Sequence, residues 1–158
     1  MCPCLGYKLL TYASVMSTLT DNQHLAEREN PQQLLKDAWI KLEQEPLQAA
    51  GLACRAEHLA RCRGDNRAWA ESLFIWGLSI LHDGNAHEAL ALFSRALAVY
   101  RFLDDEQGQW SCLKAIALAW GYTGDAAQAH KTHVQANAFQ RNTEFTARAH
   151  WLRWFASR

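Results

Sequence analysis

Cys54, His58 and Cys62 recur at steps of four, which on a helix sets two thiols and an imidazole on one face, donor types that suit a soft metal. The spacing argues against a shared ion. The outer two cysteines are separated by about 12 Å along a helix axis, and cysteine is a common small residue on helix-packing faces. Cys2-Pro3-Cys4 is too short a segment to close a site alone. His130 and His133 share a helical face, and His82 and His87 flank Gly84, but neither pair has an Asp or Glu at a ligand spacing. Such histidines supply at most a mild pH response. The chain has no G-x-S-x-G, G-x-x-x-x-G-K, G-x-G-x-x-G or H-E-x-x-H. The expectation is therefore no catalytic, cofactor-binding or metal-binding residue; the alternative, a small metal protein or enzyme, needs these Cys and His side chains to converge from different helices.

Basic and aromatic residues are interleaved at the end of the chain, where Trp151 and Trp154 stand among Arg148, Arg153 and Arg158. These are the residue types of a stacking surface for single-stranded nucleic acid or of a helix lying on a membrane. Sixteen basic residues balance sixteen acidic ones, however, so there is no broad positive field to capture a polyanion, and nucleic acid is not an expected partner. The longest charge-free apolar run, Leu73 to Leu81, is far short of the about twenty residues that span a bilayer, so no membrane partner is expected either. With 49% hydrophobic and 20% charged residues over 158 positions, the composition is that of a globular domain large enough to fold on its core alone. Five scattered cysteines, an odd number without a framework, fit a reducing cytoplasm. The start reads as Met1 or Met16, and residues 1–30 as a partly flexible N-terminal extension.

The elements that would position any site follow from a forty-residue repeat. Ala49, Ala89 and Ala129 are forty apart, as are Ala56, Ala96 and Ala136, then Ile40, Ile80 and Trp120, then Leu59, Val99 and Phe139. Gly84 and Gly124 share a phase, and so do Asp65 and Asp105. Each copy reads as two helices: Leu73, Trp76, Gly77 and Ile80 form one stripe of a helix beginning near Arg67, and Asp83-Gly84 stops it. Asn85 then caps the next helix, with Glu88 as its capping-box partner, and Asp125 with Gln128 repeats the arrangement. Pro46 opens a helix at a position where its missing N–H costs nothing. Gly77 is small enough to let its helix approach the Ala89 and Phe93 face closely. The repeats fall near 31–66, 67–106 and 107–142 within a domain covering 31–158, and 143–158 reads as a capping helix.

Leu73-x-x-Trp76-Gly77-x-x-Ile80, then Gly84, Ala89-x-x-x-Phe93 and Ala96, resemble the tetratricopeptide repeat family. The third copy departs from the pattern at Ala117 and His133, and the first keeps little beyond Ala49 and Ala56. The forty-residue spacing is similar to that of longer-helix variants in regulatory regions of bacterial signalling proteins. The resemblance implies an all-α fold of antiparallel helix pairs, stacked as a short right-handed superhelix of about seven helices. It also implies a non-catalytic interaction module, an adaptor or regulatory input domain, whose concave face is lined by the first helix of each pair. Carried onto this chain, that face holds Glu71, Phe74, Leu78, Leu81 and His82 in the second copy and Ser111, Lys114, Leu118, Gly121 and Tyr122 in the third. In the first copy it falls near Leu34, Ala38, Lys41 and Leu42.

Of these, Phe74, Leu78, Leu81, His82, Lys114, Leu118 and Tyr122 are the candidate partner-binding residues. They form an apolar strip rather than a basic carboxylate clamp, and such a strip is expected to be covered. The expected cover is an amphipathic helix or peptide from a protein partner, a second copy of this chain, or its own start around Leu9, Leu10, Tyr12 and Val15. The competing reading is that these side chains are buried between neighbouring helices.

Overall fold

The computed structural model describes residues 29–139 and Trp151. Expectations about the start of the chain, about Leu9 to Val15 and about most of the capping segment fall outside those residues. Among the described residues six helices run in order: α1 Pro31–Lys41, α2 Pro46–Arg63, α3 Asn66–His82, α4 Ala86–Phe102, α5 Glu106–Thr123 and α6 Ala126–Asn137. All belong to the unit Pro31–Arg158. Each packs on its sequence neighbour, and the first helices of successive pairs, α1 with α3 and α3 with α5, also touch. The expected all-α architecture of stacked pairs is present, and no strand occurs among the described residues. None of their helices is long and apolar enough to cross a membrane.

The turns repeat every twenty residues, half the spacing that side-chain identity reveals. Gly64, Gly84, Asp104 and Gly124 all have left-handed backbones, with φ of 68°, 88°, 53° and 85°. At each, two hydrogen bonds close the preceding helix. Asp65, Asn85, Asp105 and Asp125 donate their N–H to the carbonyls of Ala60, Ile80, Tyr100 and Trp120, while the residue before each donates three positions back. The same four residues cap the next helix, their side chains accepting from Ala68, Glu88, Gly108 and Gln128. One residue therefore ends one helix and starts another. The reciprocal arm of the expected capping box is displaced for the same reason: the Asn85 N–H is already committed to Ile80, so Glu88 meets the Asn85 side-chain amide at 2.8 Å. The α1–α2 connection differs, since Glu45 makes no side-chain cap and Pro46 opens α2 as the sequence predicts.

The small-residue phases are packing positions. Ala49, Ala89, Ala56, Ala96 and Ala136 are fully buried, although Ala129 is only half-buried. At Gly77 an added Cβ would lie 2.5 Å from the Phe93 ring, the close crossing expected from sequence. Gly108 repeats it against Tyr100, with still less room. Leu35, Leu73, Leu78, Phe93, Cys112 and their neighbours fill the core between the two rows of helices. The apolar phase breaks at Ile40, which is exposed.

Candidate binding groove

The first helix of each pair turns one stripe toward a shared groove of about 510 Å³. Gln32, Leu35, Lys36 and Trp39 come from α1, Arg67, Glu71 and Phe74 from α3, and Gln107, Gly108 and Ser111 from α5. Gln32, Lys36 and Trp39, like Arg67, Glu71 and Phe74 and like Gln107 and Ser111, are three or four apart, so one face of each helix supplies them, with Leu35 and Gly108 beside it. Tyr100, Asp105 and Trp151 complete the lining.

Phe74 forms the floor and the hub of an aromatic cluster. Its ring centroid lies 6.2 Å from that of Trp39, 5.8 Å from that of Phe93 and 5.3 Å from that of Trp151, the last meeting it edge-on at 77°. The polar wall is held by paired groups. Arg67 Nη2 donates to Asp105 Oδ2 at 2.7 Å while the other Asp105 oxygen caps α5, and Trp39 Nε1 donates to Glu71 Oε1 at 3.0 Å. Gln32 reaches Asp65, the cap of α3, as Arg67 reaches the cap of α5, although at a longer 3.5 Å. α1 and α3 are thereby each linked to the start of the next first helix. Burial pushes the Tyr100 hydroxyl well above its ordinary pKa, with Cys112, Glu71 and Asp105 adding to the shift and Arg67 opposing it.

The sequence-read site residues are dispersed around this groove. Phe74 is its floor, and Glu71 and Ser111 line it. Leu78 and Leu81, 0% and 2% exposed, are core residues, and Phe74 is itself only 4% exposed and belongs to the same core cluster, so the reading of burial between helices applies to all three, of which Phe74 alone also lines the groove. His82 is half-buried at the end of α3. Lys114 turns toward α6, donating to Asn137 Oδ1 at 2.8 Å with its ammonium 5.9 Å from the Trp110 ring centroid, and burial lowers its pKa. Leu118 packs half-buried against the core, Tyr122 is exposed, and the two stand nearer the far end of α5.

In α1 the expected register is displaced. Leu34, Ala38 and Leu42 are buried, and the groove is met by Gln32, Leu35, Lys36 and Trp39 instead. Gln32, Lys36 and Trp39 match Arg67, Glu71 and Phe74 at a spacing of thirty-five, whereas Arg67 and Gln107, like Glu71 and Ser111, are forty apart. A forty-residue rule carried back from the second copy misses α1 for that reason. Matching Trp39 to Phe74 as the aromatic of each first helix was the available signal. The pairing of Tyr100 with Gly108 crosses between two copies, which the repeat pattern does not reveal, and the sequence reads Trp151 as part of a cap and not as a groove residue.

The nucleophilic and metal-ligating candidates do not assemble. Cys54, His58 and Cys62 are exposed on α2, with Cys62 Sγ 3.8 Å from His58 Nε2, and no group of three His, Cys, Asp or Glu side chains fit to hold a metal occurs among the described residues. His130 and His133 are exposed on α6, where burial, then Lys114 and His130, lower the pKa of His133. The metal-protein alternative gains no support from this placement.

No protein-family model and no curated protein match the chain. Among solved structures, the crystal structure of the TPR domain of Arabidopsis FLU is similar, with a TM-score of 0.65 and 26% sequence identity, over 68% of this chain and 92% of that one. Paired helices, buried small-residue phases and this likeness agree: the chain has a tetratricopeptide-like helical-repeat fold.

Proposed function

We propose that the chain is a non-catalytic protein–protein interaction module, an adaptor or regulatory input domain that takes a partner helix or peptide in the groove formed by α1, α3 and α5. The observation that carries this reading is the groove itself: three parallel stripes, one from each first helix, around an aromatic floor at Phe74. A concave apolar floor with a few paired polar groups on its walls is the usual form of a recognition site. Phe74 anchors the partner, Leu78 and Leu81 stiffen the floor from behind, and His82, Lys114, Leu118 and Tyr122 extend the contact toward the other ends of α3 and α5. The proposed setting is cytoplasmic bacterial signalling, without nucleic acid or membrane as a partner, a reading supported by the odd, unframed cysteines, the resemblance of the repeat and the balanced charge.

The test is site-specific photo-cross-linking in host lysate, with p-benzoylphenylalanine placed at Ser111 in the groove or at Ala91 on the exposed face of α4. An adduct to another protein from position 111 and not from position 91 is the expected result.

A further inference from the structure

Trp151 is 2% exposed, yet it is the one described residue of the groove that comes from beyond α6. It meets Phe74 edge-on, and Phe74 also contacts the Trp39 and Phe93 rings, so two aromatic contacts besides the indole hold the seat. Three of the charged groups lining the groove already have protein partners, Arg67 with Asp105 and Glu71 with the Trp39 indole, so an entering aryl group need not strand them. Open space remains beside the indole, enough for more than one side chain.

From these observations we infer that the groove is an aryl-recognition site closed in the resting chain by its own Trp151, and that its external ligand is a helix presenting a tryptophan that displaces it. The inference rests on the groove being the binding face. Trp151 stands in helical conformation, and the sequence from 143 to 158 carries Arg148 and Arg153 with only Glu144 as an acidic residue, so the chemistry proposed for the ligand is that of this sequence: an aryl group among basic residues. Tethering keeps the indole at high effective concentration, and the affinity for an external helix falls by the fraction of time the seat is occupied.

The experiment uses a fluorescein-labelled peptide of residues 143–158 added to the full chain, read by anisotropy. The Trp151→Ala chain, its fold confirmed by circular dichroism, is expected to bind the peptide about tenfold or more tightly than the unaltered chain, as for a seat occupied nine-tenths of the time. The same substitution in the peptide is expected to abolish binding. Equal binding to both chains, lost on Phe74→Ala, overturns self-occupancy and leaves the groove reading standing. No binding to the folded variant, or binding indifferent to Phe74→Ala, overturns both. Should Trp151→Ala not fold, ¹⁹F NMR of the 5-fluorotryptophan-labelled chain, with Trp151 assigned by Trp151→Phe, replaces it. A Trp151 resonance that moves on Phe74→Leu supports the seat, and one that stays in place overturns it.

Discussion

Two glycines set how closely the helix rows approach, and a methyl group measures each of them. Gly108 lies on the Tyr100 ring, which is buried and would have to shift to admit a methyl group. Gly108→Ala is expected to destabilise the fold by about 1–3 kcal/mol through overpacking, despite the higher helix propensity of alanine; the midpoint of urea denaturation reads it. Cys112 behaves differently from the other described cysteines. It is fully buried, and burial, followed by the charge of Asp105, raises its thiol well above the ordinary value of 9.0. In native protein iodoacetamide is expected to modify Cys54 and Cys62, which are exposed, and to spare Cys112, as peptide mass mapping will show. The sign of the pH effect follows. Between the unfolded and folded values the unfolded chain has released a proton that the native chain keeps, so stability is full below about pH 9 and falls as pH rises. Tyr100, raised from 10.0, extends the loss upward. Urea midpoints that stay level from pH 7 to pH 11 contradict this account.

At the scale of elements, the chain is punctuated by one fused turn used four times, and three of its four left-handed positions are glycine. Asp104 is the exception, at φ 53°. A left-handed backbone is unfavourable for any residue with a Cβ, so Asp104→Gly is expected to stabilise the protein by up to about 1 kcal/mol, less than the full steric cost because glycine also loosens the unfolded chain. Loss of stability on that substitution, measured by thermal unfolding, argues against the shared turn. Helix starts and the small-residue crossings were legible in the sequence because they are local: Asn85, Asp125, Pro46 and Gly77 do what their residue types suit them to do. The register of α1 was not, because nothing local distinguishes Ala38, which packs inward, from Trp39, which is partly buried and lines the groove. The choice between adjacent apolar residues is made by the neighbouring helix. Leu78 and Leu81 show the same limit: a stripe of large apolar residues reads alike whether it covers a core or presents a surface.

For the molecule as a whole, sixteen basic residues balance sixteen acidic ones, and no helix among the described residues is long and apolar enough to cross a membrane. Three first helices bring Trp39, Glu71 and Ser111 to one concavity, although no two of these side chains are near one another in sequence. That convergence is what a repeat provides, and it could be foreseen only in outline. The central claim is that another protein is recognised there. Cross-linking from position 111 tests it most directly, because the reporter stands in the groove and has a matched control on the exposed face of α4 at position 91. The account predicts a discrete protein adduct from position 111, stronger when Trp151→Ala opens the seat, and none from position 91. Adducts arising from position 91 alone, or none from position 111 in the opened chain, would contradict it.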